Sequence, residues 1–232
     1  TGNVEIDEGM FEMSKSFTIA LLQTLIGSKV MGSEASSVWP RKIINSAVER
    51  VYREAGVTTD PATWERSAHL SIHEVYRIIQ DLYKEAQTYQ FQGDHSTAFR
   101  GNEEYRKSFD VVVASLEDYL SPNGTRAYVF GDRVTTEEVT EAKMVLCSFG
   151  MKGKSQSMVD EIQMGLTQLY AGMLSSIRSN FSKAQGRFNV KVFEEFQRYS
   201  GLPDADKVFK VAITGGRKLG DVNVVITNQP SE

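Results

Sequence analysis

Two adjacent carboxylates, Glu194 and Glu195, close the run Phe188-Asn189-Val190-Lys191-Val192-Phe193. A short run rich in β-branched and aromatic residues reads as a strand. Carboxylates at the C-terminal end of a parallel strand sit where α/β sheets bind their ligands. One of them can hold the water shell of a divalent cation while its neighbour orients an attacking water, the needs of phosphoanhydride hydrolysis. The same residues also suit a solvated strand-to-helix junction, because acids favour a helix N-terminus. Further along, Gly216-Arg217-Lys218 precedes a second apolar run, Val222 to Ile226, followed by Thr227-Asn228-Gln229. An amide at the end of a neighbouring strand can sense a terminal phosphate or position water. An arginine just before that strand can reach a nucleotide, often one held by an adjacent subunit. The plainer reading is a helix C-terminus whose cations complement its dipole, then an ordinary strand and turn.

Other candidates carry less. Gly9 to Ser16, GMFEMSKS, has the outline of a phosphate-binding loop, with Ser14 where the second glycine belongs. Such a loop needs backbone N–H groups that glycine leaves accessible, and Phe11, Glu12 and Met13 fill this one. An amphipathic helix is the better reading of Gly9 to Ser16. His69 and His73 stand four apart, like helical metal ligands, but Leu70, Ser71 and Ile72 between them include no zinc-protease glutamate. The sole cysteine, Cys147, lies in an apolar stretch and reads as a buried small residue in a reducing compartment. Arg126, Arg133, Lys152 and Lys154 form a modest basic group without interleaved aromatics.

The first half must be helical. Phe17, Ala20, Leu21 and Leu25 lie at helical spacing, with a stop near Gly27 or Gly32. Trp39-Pro40 is read as opening a second helix whose apolar face is Ile43, Ile44, Ala47, Val48, Val51 and Tyr52, ending at Gly56. Asp60-Pro61 starts a connector through Trp64. Ser71 or a residue just before it caps the next helix, with Val75, Ile78, Ile79, Leu82 and Tyr83 facing inward. Gln92 to Asn102 is a polar loop, and a helix runs from about Glu103 to Leu120, stopped by Ser121-Pro122-Asn123-Gly124.

The second half changes character at Ser121 to Thr125. Ala127 to Phe130 reads as a strand, and Thr135 to Glu138 as a helix start. Val145 to Phe149 fits either state. A long helix presents Ile162, Leu166, Leu169, Met173 and Ile177 on one face. Then come a strand Phe188 to Phe193, a helix of about Asp204 to Arg217, and a strand Val222 to Thr227. Strands separated by helices imply a parallel sheet. The expected organisation is a helical subdomain over 1–121 and an α/β core over 122–232.

Composition sets bounds. Apolar residues at 41% and charged residues at 24% of the 232 are ordinary for a globular chain. No apolar run is long enough for a membrane helix, and no signal peptide is visible at the N-terminus. A formal charge of −4 argues against a broad nucleic-acid-coating surface.

Taken together, Glu194-Glu195, Gly216-Arg217-Lys218 and Thr227-Asn228-Gln229 resemble, in this order, the traffic ATPases of type IV secretion and conjugation, within the FtsK–HerA class of P-loop motors. PRKIINSAVERVYREAGV and SIHEVYRIIQDLYKE resemble that family's helical insertion, and RAYVFGD resembles a core strand that returns to its sheet. The resemblance implies a partial parallel-sheet P-loop ATPase core, of class α/β, with a large all-helical insertion. It implies ATP and Mg²⁺, with Glu194 as the Walker B metal ligand, Glu195 and Gln229 acting on the attacking water, Lys218 near the nucleotide and Arg217 reaching it. It also implies a self-associating ring, hexameric in the full-length protein, meeting other secretion-channel components and a DNA or protein substrate. The implied location is cytoplasmic, at the inner face of the membrane through partners. Three departures stand out. Glu194 replaces the family's aspartate. Asn189 and Lys191 interrupt an otherwise apolar strand, which implies an edge or partly exposed one. No intact Walker A motif is present, so the resemblance implies a phosphate loop before Thr1 and further helices after Gln229. The alternatives are a non-catalytic helical interaction module with a vestigial core, and a DNA-translocating coupling-type motor.

Overall fold

The computed structural model describes residues 8–31, 33–88, 103–130, 158–193 and 203–226 of the chain. The chain divides into two compact units, Thr1–Asp132 and Arg133–Glu232.

In the first unit α1 spans Glu8–Ile26, α2 Ser28–Met31, α3 Glu34–Glu54, α4 Ile72–Thr88 and α5 Glu103–Leu120. Gly27, at φ 87°, ends α1 in the left-handed region that glycine adopts without penalty. The next helix begins before Pro40. Ser33 caps α3 by accepting the Ser36 amide at 3.1 Å, which leaves Pro40 inside the helix. The cap supplies what a proline at N1 would have supplied, and the helix tolerates the one missing N–H near its start. Gly56, at φ 69°, terminates α3, and the Val57 amide reaches back to the Tyr52 carbonyl at 2.9 Å. Asp60 and Pro61 open a 3₁₀ segment, Pro61–His69, as a capping acid and N1 proline should. Ser71 and Glu74 form a reciprocal capping box on α4.

These helices bury one core. α3 packs on α1, α2, α4 and α5. Leu22, Leu25, Ile43, Ile44, Ala47, Val48, Ile78, Ile79, Phe109 and Leu116 are all at most 1% exposed. The expected faces of α3 and α4 are buried except for Tyr83, which is half-buried. Gly9 to Ser16 lies wholly inside α1, with the Phe11 ring stacked on Trp64 at 4.8 Å. From Glu12 onward the amides, those of Ser14, Lys15 and Ser16 included, are closed into i→i−4 hydrogen bonds and are not free to cradle a phosphate. Ala127–Phe130, expected as a strand, is a 3₁₀ turn. Its amides are spent locally, Ala127 on Gly124 and Val129 on Arg126, so it offers no ladder to a sheet.

In the second unit α6 spans Met158–Ala184, β1 Val190–Phe193, α7 Pro203–Gly216 and β2 Val222–Val225. The two strands pair in parallel, Val190 opposite Val222 and Phe193 opposite Val225. The α/β P-loop core anticipated from the sequence is therefore not the architecture observed. The described residues are predominantly helical and hold a sheet of two four-residue strands. Two parallel strands cannot provide the broad switch-point crevice of a doubly wound sheet. α6 and α7 pack extensively along each other. Ile162, Leu166 and Leu169 are buried as expected, but Met173 and Ile177 are only half-buried. The C-terminal half of α6 instead buries Gly172, Ser175, Ser179 and Ser182, a small polar face.

Candidate functional site

β1 and β2 run parallel and in register, so both chains leave the same end of the sheet. Glu194 follows Phe193 directly. The Ile226 amide still donates to the Phe193 carbonyl at 2.8 Å, which extends the pairing one residue past β2. Glu194, Glu195 and Gln229 themselves lie outside the described residues, as do Cys147, Arg133, Lys152 and Lys154. Gly216-Arg217-Lys218 sits at the other end of β2. α7 stops at Gly216, and Arg217–Leu219 form a 3₁₀ turn closed by the Asp221 amide on the Gly216 carbonyl at 3.0 Å. Lys218 is exposed. The described strands thus end together at Phe193 and Ile226, and the basic turn lies at the opposite end of β2.

Beneath the sheet lies a polar cluster that sequence reasoning missed. Lys191 of β1 forms an ion pair with Asp221, their side chains 9% and 1% exposed. Lys191 also donates to Ser179 Oγ at 2.6 Å, and Ser179 in turn reaches Asp221. Asn189 donates to Asp221 at 3.3 Å and to the Arg178 carbonyl at 3.1 Å, and accepts from Ser182 at 2.9 Å. β1 is the partly exposed edge strand that Asn189 and Lys191 suggested, with Val190 and Val192 about 60% exposed among the described residues. The two polar residues themselves face inward, because Asp221 and the serines of α6 satisfy them. A Ser–Lys pair can serve nucleophilic catalysis when the amine is neutral. Here Lys191 is tied to Asp221 and Ser179 is 1% exposed, so the hydroxyl is closed to a substrate and the cluster is not a nucleophile site. The other sheet face is open: Phe188, Val190, Val192, Val222, Val224 and Ile226 are 40–72% exposed.

The paired histidines do not form a metal site. His69 ends the 3₁₀ segment, Leu70 is extended, and His73 belongs to α4, where its Nδ1 lies 3.2 Å from the Leu120 carbonyl. The break between the two elements removes the i,i+4 geometry that the spacing offered. Among the described residues no group of three His, Cys, Asp or Glu could hold a metal ion, and no helix is long and apolar enough to cross a membrane.

No family model, curated protein or solved structure matches this chain.

Proposed function

We propose that this chain supplies the hydrolytic half of an ATPase that energises type IV secretion or conjugative transfer. The observation that supports the reading is the parallel register of β1 and β2, whose last described residues, Phe193 and Ile226, stand at one end of the sheet just before Glu194-Glu195 and Thr227-Asn228-Gln229 in the sequence. The proposal rests on this local arrangement and on the order of the three motifs, not on a P-loop fold. The substrate is MgATP. Glu194 faces its metal, Glu195 orients the attacking water, Gln229 senses the terminal phosphate, and Lys218 and Arg217 contribute positive charge, Arg217 from a neighbouring subunit. The residues fit that half of a nucleotide site and not a phosphate cradle, since Gly9 to Ser16 is helix. Gly9 to Ser16 therefore does not supply the cradle. Self-association into a ring, contact with secretion-channel components and a DNA or protein cargo belong to the same proposal.

The test is turnover of MgATP by the protein as its gene encodes it. Glu195→Gln should leave nucleotide binding largely in place and lower kcat by about 100-fold or more, since the carboxylate acts in the transition state. The 232-residue chain alone should hydrolyse ATP at background rate. Absence of nucleotide binding by the gene-encoded protein would sink the reading. It would favour the second one, a helical interaction module, which the stacking of Phe11 on Trp64 within a helix in place of a loop supports.

A further inference from the structure

Two strands of four residues, each patterned Val-x-Val, carry little information about how they should align. Val190 and Val192 face Val222 and Val224. A slip of two residues would keep valine against valine on the open face. Register needs another marker where the apolar pattern repeats.

Lys191 and Asp221 supply it. The pair draws together three elements: β1 through Lys191 and Asn189, the head of β2 through Asp221, and α6 through Ser179, Ser182 and the Arg178 carbonyl. A fourth element, α7, makes room for it. A Cβ on Gly216 would stand 2.4 Å from Asp221 Oδ2 and 3.0 Å from Lys191 Nζ. Gly216 therefore has a packing role: it lets the last turn of α7 close over the ion pair. A one-residue slip would turn Lys191 to the open face and leave Asp221 buried without its cation. A two-residue slip would set Asn189 or Phe193 where Lys191 stands. Either leaves a buried charge unpaired, which is costly enough to be excluded.

We propose that Lys191 and Asp221, admitted by Gly216, are positioning residues that lock the β1–β2 register and so fix the offset between the segments that leave the sheet. A two-residue slip would move Glu194-Glu195 relative to Thr227-Asn228-Gln229 by about 6.6 Å, more than a hydrolytic site tolerates. The lock stands on its own geometry; its consequence for turnover rests on the ATPase reading above.

The experiment compares Gly216→Ala, Lys191→Met, Asp221→Leu and the double variant Lys191→Met/Asp221→Leu in the gene-encoded protein. The first readout is independent of function: hydrogen exchange at the Val222 and Ile226 amides, which donate to Asn189 and Phe193 across the strands. The second is kcat and KM for MgATP. The double variant replaces the pair with apolar side chains, so it should keep the fold, seen as an unfolding midpoint at or above those of the single variants. It should nonetheless lose about 10-fold or more of the exchange protection at those two amides. Its kcat should fall about 100-fold with KM within about 3-fold, the split expected for misplacement rather than lost binding. Gly216→Ala should move both readouts the same way. Wild-type protection in the folded double variant overturns the lock. Lost protection with unchanged kcat overturns the positioning role. A wild-type protein without ATPase activity overturns the ATPase reading alone, and the exchange readout then decides the lock.

Discussion

Removing one partner of a buried ion pair costs more than replacing both. Asp221→Leu leaves Lys191 facing Ser179 alone, and should destabilise the second unit by about 3–5 kcal/mol, whereas adding Lys191→Met should recover most of that loss. Urea unfolding of the two variants checks the difference, and equal losses would mean that the apolar replacements pack badly rather than that a charge is stranded. Tyr105 responds to pH instead. Burial pushes its phenol up from the usual 10.0 to about 12, helped by the nearby Glu85 carboxylate. The ring is 2% exposed, against Trp39 at 5.4 Å and Phe109 at 5.0 Å. Between those two values the unfolded chain has released the proton and the folded chain retains it. The contribution is thus whole below pH 10 and is lost as pH rises towards 12, by up to about 1.4 kcal/mol per pH unit. Burial raises Tyr52 and Tyr170 as well, so their losses add to that of Tyr105. Melting midpoints recorded from pH 9 upward should fall less steeply in Tyr105→Phe than in wild type; parallel curves would deny the assignment. Little of this was legible from residue type. Asn189 and Lys191 marked a partly exposed strand but not their own burial, because their partners lie 7 to 32 positions away on other elements, where no local signal names them.

Elements were legible wherever a local signal and an apolar period agreed. The Ser71–Glu74 box, the Asp60-Pro61 start and the Gly27 and Gly56 stops all announce themselves within four residues, and each occurs where it was expected. The α3 start was misjudged because Pro40 is a strong signal and Ser33 a weak one; the proline proved compatible with a helix already under way. Ala127 to Phe130 failed for a different reason. Four apolar residues make a strand only if a ladder is offered, and here the chain folds back on α5 instead. The Arg126 amide bonds the Asp118 carbonyl at 2.8 Å and its guanidinium bonds the Tyr119 hydroxyl at 2.6 Å. Gly124 makes this return feasible, since a Cβ there would meet the Asp118 carbonyl oxygen at 2.3 Å, a backbone atom that cannot swing aside. Gly124→Ala should therefore cost about 1–3 kcal/mol in stability and disorder the turn, whereas Gly186→Ala, with nothing within 4 Å, should cost only the strain of its φ of 65°. Chemical denaturation of both variants separates crowding from backbone strain: a larger loss at Gly186 would show that space at Gly124 is not what matters.

At the scale of the whole molecule, the helical character of the first unit was readable from three strong amphipathic faces, and the extent of the sheet was not. Strand segments at Val190–Phe193 and Val222–Val225 were visible as apolar runs, but a sequence says nothing of how many further strands join them, and among the described residues the expected multi-stranded core gave way to a pair. What the pair does retain is direction. Because both strands point the same way, Phe193 and Ile226 stand at one end of the sheet while Arg217 and Lys218 turn at the far end of β2. An arginine at the opposite end of a strand from the carboxylates it serves is poorly placed to act within its own subunit, and acts more readily on a neighbour's. This places the proposed ring under test. Arg217→Ala should lower ATP turnover of the gene-encoded protein by about 10³-fold, the lower range for such an arginine. Glu195→Gln should also be inactive. In an equal mixture, an interface works only when its carboxylate comes from an Arg217→Ala subunit and its arginine from a Glu195→Gln subunit, which random assembly achieves at about a quarter of interfaces. Turnover should then recover to about that fraction of wild type at fixed total concentration, provided interfaces act independently. Wild-type activity of Arg217→Ala would remove the arginine from the reaction. Loss without recovery on mixing would confine it to its own subunit and take away the reason for a ring.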